Sequence, residues 1–230
     1  MIFTRGSIGT HLFELAYAIG KHSIKTNSSI LNFHSIRDCE SHAKKTNVSK
    51  LIANFRISTL DVPSRRKQGC FTKENFPECM ESFFQITGGG FEGLFSQYPN
   101  IEEIGHIRMP DILHSDRDSL KIVENLEKIQ QKYKEQNVKA VISNDPKLKS
   151  IDVGGTAQDD FKLMVNASKI VGTYSLFSLA TLLFKVKSQK EKKLILMMGD
   201  ETNKHVKNDL QQILKTRLSK QIVIENIIFK

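Results

Sequence analysis

Three stretches of this chain carry side chains or backbone suited to holding an anion. The first is Gly6-Ser7-Ile8-Gly9-Thr10-His11-Leu12-Phe13. Its glycines leave backbone N–H groups open to a ligand, and a helix starting there adds partial positive charge. A tight strand-to-helix turn explains the same residues without a ligand. The second is Gly105-His106-Ile107-Arg108-Met109-Pro110-Asp111. Strand alternation puts His106 and Arg108 on one side, with Arg108 at the strand's C-terminal end. A guanidinium there can fork two oxygens of a diphosphate, which a lysine ammonium cannot do in the same geometry. A surface ion pair between Arg108 and Asp111 is the alternative.

The third stretch is composite: Val141-Ile142-Ser143-Asn144-Asp145-Pro146, then Asp159-Asp160-Phe161-Lys162-Leu163-Met164, then Gly172-Thr173-Tyr174-Ser175-Leu176-Phe177-Ser178. Asp145 offers an acceptor carboxylate just past a strand. Ser175 and Ser178 place hydroxyls where a strand becomes a helix, a setting that suits phosphate. Helix capping by Asp159 and Ser175 is the ligand-free explanation. Asp116-Arg117-Asp118 has the spacing of a metal-holding acidic pair, but acidic capping of the helix it precedes accounts for it. The seven histidines form no ligand-spaced cluster with the acids, so no metal is expected. Glu14 and Glu92 are the candidate bases, chosen because each could approach the cleft. The triplet Gly88-Gly89-Gly90 lacks the following Lys-Ser/Thr of a P-loop and reads as a turn.

The elements that must position these residues follow from hydrophobic periodicity. Met1 to Thr4 reads as a strand. A helix follows with Leu12, Leu15, Ala16 and Ile19 on one face, capped by Thr10, and Ser29 to Phe33 is a second strand. Residues 61 to 100 are the least regular, with Glu81 to Gln85 read as a buried strand. Further on, strands are expected at Ile104–Arg108, Lys139–Ser143, Lys169–Gly172, Leu194–Met198 and Gln221–Phe229. Helices are expected at Leu120–Gln136, Asp160–Ser168, Leu176–Lys187 and about Asn203–Leu218. Strands alternating with helix-length segments predict a doubly wound parallel α/β sheet, with ligands at the rim of strand C-terminal ends.

Composition narrows the classes. A chain of 230 residues with 39% hydrophobic residues has enough apolar material for a core without staples. Three cysteines without CxxC spacing argue against a disulfide scaffold or zinc ribbon and point to a reducing, cytoplasmic setting. No apolar run approaches the length of a membrane span, and no signal peptide is evident. Lys and Arg total 34 against 25 Asp and Glu, a net charge of +9. That excess suits an anionic ligand and leaves room for weak association with an anionic membrane surface. A non-catalytic module that binds nucleic acid through the lysine-rich C-terminal half is a competing reading. No zinc-finger, RNA-recognition or basic-zipper pattern supports it.

Taken in order, the stretches resemble the fucosyltransferase superfamily, which includes the α-1,2-, α-1,6- and protein O-fucosyltransferases. Gly6 to Phe13 is similar to the family's Gly-Gly-Leu-Gly-Asn-Gln-Leu-Phe, and Glu81 to Gln85 to its segment ending Gly-Tyr-Phe-Gln. His106 to Asp111 resembles His-Ile-Arg-Arg-Gly-Asp, and Ser143 to Pro146 its Ser-Asp-Asp. Asp160 to Met164 resembles Asp-Phe-x-Leu-Met, and Ser175 to Ser178 resembles Ser-Thr-Phe-Ser. The likeness spans roughly residues 1 to 184. Thr10-His11 stands in place of Asn-Gln, Met109 in place of a second arginine, and Leu179-Ala180 in place of Trp-Trp.

The resemblance implies a GT-B-like pair of Rossmann-like domains with parallel sheets, the N-terminal half reduced. Residues 1–103 would form the acceptor-side domain and 104–230 the nucleotide-sugar domain. It implies an inverting, metal-independent glycosyltransferase using GDP-fucose and a glycan acceptor, with no bound cofactor and no nucleic acid partner. A UDP-sugar or another GDP-deoxyhexose is the alternative donor. Arg108 would hold the diphosphate as the catalytic residue, and His106 would line the nucleotide pocket. Asp145 would meet the base. Ser175, Phe177 and Ser178 would lie near the phosphates, facing Gly6, Gly9 and Thr10.

Overall fold

The computed structural model of the protein describes residues 8–26, 32–36, 52, 56–60, 70–93, 101–109, 125–151, 156–185, 192–198 and 204–226. The first half contains helix α1 (Ile8–Thr26), strands β1 (Asn32–Ile36) and β2 (Arg56–Leu60), helix α2 (Phe76–Ile86) and the short strand β3 (Phe91–Glu92). The second half begins with β4 (Glu103–Ile107), α3 (Leu126–Glu135), β5 (Ala140–Ser143), α4 (Ala157–Asn166) and β6 (Lys169–Thr173). It ends with α5 (Leu176–Leu179), β7 (Phe184–Lys185), β8 (Lys193–Met198), α6 (Lys204–Leu214) and β9 (Ile222–Asn226). The protein is therefore mixed α/β.

Its principal sheet has five strands in the order β5-β4-β6-β8-β9, and every pairing is parallel. Both faces of such a sheet must be covered, because parallel connections leave helices on each side. Ile129 and Tyr133 of α3 pack on one face with Ile107, Val171, Ile195 and Met197. Side chains of α1, α2, α4 and α6 share the opposite face with Ile104, Ile142, Ile170, Leu194 and Leu196. Alternation along β4 produces this division: Ile104 and Ile107 enter different cores. The arrangement is the Rossmann-like, doubly wound sheet expected from the strand and helix pattern.

The strand order also fixes a topological switch point. The chain enters at β4, steps outward to β5, then returns past β4 to β6 and continues to β8 and β9. Successive connections leave β4 and β6 toward opposite faces of the sheet. In doubly wound sheets ligands bind at such a topological switch point, beyond the C-terminal ends of the two strands that flank it.

The first half does not stand apart from this sheet. Ring contacts run from Phe83 to Phe91 at 4.7 Å, to Phe184 at 5.5 Å, to Phe161 at 5.6 Å and to Phe177 at 5.2 Å. The path crosses residue 103 within one continuous buried cluster. Strands β3 and β7 form a separate parallel pair across the same boundary, and β1 pairs in parallel with β2.

Several expectations are corrected. Glu81 to Gln85 is not a strand but part of α2, whose buried residues Phe76, Cys79, Met80, Phe83 and Phe84 recur at helical spacing. Pro77 in its first turn suits that start. The helix expected over Leu176–Lys187 ends at Leu179, passes through a 3-10 turn at Ala180–Leu183 and becomes β7. Residues 178 to 184 are buried on every side, so no polar stripe sustains an amphipathic helix there. Thr10 is not a cap, because α1 already includes Ile8. The turn reading of Gly88-Gly89-Gly90 matches the backbone: φ is 62°, 109° and 143°, values that side chains resist. Met1 to Thr4, Asp111 and Asp116 to Asp118 lie outside the described residues. Among the described residues, no helix is long and apolar enough to cross a membrane.

Candidate functional site

The rim of the switch point is built from the ends of β4, β5 and β6. Backbone pairing of β4 with both neighbours ends at its last residues, through Ile107 with Ser143 and His106 with Gly172. Beyond that point side chains replace the ladder. The Arg108 N–H donates to Thr173 Oγ1 at 2.9 Å, across the gap between β4 and β6. The Met109 N–H donates to Asn144 Oδ1 at 2.7 Å, and Asn144 Nδ2 donates to the Met109 carbonyl at 3.0 Å. One carboxamide thus satisfies both backbone groups of a residue that has outrun its strand partner.

His106 is buried, with 4% of its surface exposed, and its ring stacks on Phe177 at 5.6 Å and 27°. Burial first, and then the nearby Arg108 charge, push its pKa down to about 3. The imidazole is therefore neutral at physiological pH, and the cation at this rim is Arg108, which is half-buried. That the Arg108 charge is felt at His106 accords with alternation placing both on one side of β4.

The loop after β5 is a tight turn. Ser143 Oγ accepts from the Asp145 N–H at 3.0 Å, and Asp145 Oδ1 accepts from the Lys147 N–H at 2.9 Å. Asp145 is half-buried at the rim, with one carboxylate oxygen committed to its own turn. After β6, Ser175 caps α5 by accepting from the Phe177 N–H at 3.1 Å. Ser178 is fully buried and donates to the Ser175 carbonyl at 3.0 Å, so its hydroxyl serves the turn.

The start of α1 lies directly on this turn. A Cβ on Gly9 would come within 2.2 Å of the Leu176 carbonyl oxygen and 2.6 Å of the Phe177 nitrogen. Only glycine lets the two backbones approach so closely. The N-terminus of a 19-residue helix, the positive end of its dipole, therefore lies beside the turn that follows β6. Thr10 is half-buried in the first turn of that helix, and Gly6 lies outside the described residues.

The structure thus brings together Gly9, His106, Arg108, Ser175 and Phe177, with Asp145 on the far flank of β4. Glu92 pairs with Lys185 at 3.1 Å on the β3–β7 pair. Glu14 sits close enough to Cys70 to raise that thiol's pKa, after burial, the larger cause. Thr173 and Asn144 fall within the anion-suited stretches of the sequence, but local pattern assigns neither a role. The available signal was a hydroxyl at the last position of β6 and a carboxamide one residue past the end of β5, the two strands flanking β4. Among the described residues, no group of three or more His, Cys, Asp or Glu is arranged to hold a metal ion.

No protein-family model matches the chain, and no curated protein is significantly similar to it.

Proposed function

We propose that this protein is a glycosyltransferase that takes its sugar from a nucleoside-diphosphate donor, with GDP-fucose the favoured donor and a glycan hydroxyl the acceptor. The observation that carries this reading is the position of Arg108. Arg108 is half-buried at the end of β4, and its backbone N–H is tied to Thr173 across a topological switch point. Dinucleotides and nucleoside diphosphates characteristically bind at such switch points. A forked cation suits a diphosphate better than any single-point donor does.

The chemistry follows from charge. When the bond between the sugar's anomeric carbon and the phosphate oxygen breaks, the electron pair leaves with the diphosphate. Arg108 stabilises that developing charge, and the N-terminus of α1 adds to it, without a metal. The acceptor oxygen bonds to the opposite face of the anomeric carbon and gives up its proton, so the configuration inverts. His106, neutral and stacked on Phe177, supplies a flat wall rather than a charge. In this reading residues 104–230, which carry the five-stranded sheet, are the donor-binding unit of a GT-B-like pair, and residues 1–103 are the reduced acceptor-side half.

Thermal unfolding with GDP tests the reading. At about a hundredfold excess over Kd, GDP adds ~2.7 kcal/mol and raises Tm by about 5–10 °C. Arg108→Ala is expected to abolish most of that shift. An unchanged Tm at millimolar GDP overturns the proposal. A donor-hydrolysis assay across GDP- and UDP-sugars then assigns the sugar.

A further inference from the structure

Arg108 lies one residue beyond the last regular rung of a central strand, where a backbone would ordinarily be released into a loop. Here it is not released. Thr173, only 4% exposed, catches the Arg108 N–H at 2.9 Å from β6. Asn144 brackets the next residue from β5, holding both the N–H and the carbonyl of Met109. The two holding groups come from opposite sides of β4, since β5 and β6 are its two neighbours. Together they extend the sheet by two residues, with side-chain atoms standing in for strand backbone.

We infer that Thr173 and Asn144 are positioning residues for anion binding: they hold the backbone of Arg108 and Met109 extended past the sheet so that the guanidinium is aimed at the ligand before it arrives. This rests on the reading of Arg108 as the diphosphate contact. The physical advantage is preorganisation. A bidentate contact needs the planar fork within a narrow range of angles, and a free backbone would have to be ordered at each binding event. Thr173 has the stronger hold because its bond is shielded from water. Asn144 is exposed, so water competes for its two bonds.

The experiment uses the full chain, with GDP and inorganic pyrophosphate as probes in titration calorimetry. Amide hydrogen exchange at Arg108 and Met109 is followed in parallel. Thr173→Val keeps the shape but removes the acceptor, and Thr173→Ser keeps the acceptor. Thr173→Val is expected to weaken both probes about tenfold and to strip exchange protection from the Arg108 amide, while Thr173→Ser preserves both. A role confined to general stability would lower Tm without separating the two variants in affinity. Should Thr173→Val fail to fold, Asn144→Ala at the exposed clamp provides the second arm. It is expected to expose the Met109 amide and weaken pyrophosphate severalfold.

Wild-type protein that binds neither probe overturns the reading of Arg108, and the positioning role falls with it. Wild-type binding that is matched by a folded Thr173→Val or Asn144→Ala variant overturns the positioning role alone.

Discussion

The backbone at Leu176 occupies the space that any side chain on Gly9 would need, with 2.2 Å between the Leu176 carbonyl oxygen and an ideal Cβ. Two segments separated by more than 160 residues are thereby pressed together at the site rim. Neither partner can yield by rotating a side chain, because the clash is with backbone. Gly9→Ala is expected to cost about 1–3 kcal/mol, the range for overpacking a packed contact. Urea unfolding measures it, and a loss below about 0.5 kcal/mol would mean the two segments separate easily.

His106 makes stability depend on acid. An unfolded histidine takes up a proton near pH 6.5, whereas the buried ring resists protonation until about pH 3. Between those values the unfolded chain binds more protons, so stability is full above about pH 6.5 and falls as pH decreases through that window. By pH 5 the contribution of this residue is a loss of about 2 kcal/mol. His106→Gln, which cannot titrate, is expected to lose correspondingly less between pH 7 and pH 5. Parallel urea curves at the two pH values decide it.

Lys192 acts over a different range. Its ammonium is buried and donates to the Met164 carbonyl at 2.9 Å and the Val165 carbonyl at 2.5 Å, at the end of α4. Burial pushes its pKa down to about 7 from an ordinary 10.5. Between these values the unfolded chain holds the extra proton, so this residue's contribution to stability rises with pH. From pH 7 to pH 8.5, wild type should gain about 2 kcal/mol relative to Lys192→Met. Parallel slopes for the two proteins would argue against a buried, easily deprotonated amine.

Two ion pairs of similar length should differ in worth. Lys149 and Asp160 meet at 2.9 Å with side chains 15% and 12% exposed. Arg217 and Glu81 meet at 2.8 Å, but are 43% and 37% exposed. Asp160→Asn removes a counter-charge from a shielded ammonium and is expected to cost about 3 kcal/mol. Glu81→Gln breaks a bridge open to water and should cost under about 1 kcal/mol, less still at high salt. Denaturation of both variants with and without added salt makes the comparison.

What the amino-acid order determined by itself was periodic or local. The apolar faces of α1 and α3 recur at 3.6 residues. Strands β4, β5, β6, β8 and β9 are short apolar runs between turn signals, and Ser175 is a helix cap because its hydroxyl answers an N–H two residues on. Arg108 at a strand end is also legible, since alternation and strand length locate it. Local signals fail where burial is complete or where partners lie far apart in the chain. The pair Phe83-Phe84 suits a strand until α2 buries it along with Phe76 and Met80, seven and three residues before Phe83. The segment from Ala180 to Lys185 leaves its helix because β3, some ninety residues upstream, offers a parallel partner. Thr173 and Asn144 acquire roles only once β6 and β5 settle on either side of β4. A hydroxyl or carboxamide carries no mark of which backbone group it will meet until the sheet order brings that group within 3 Å.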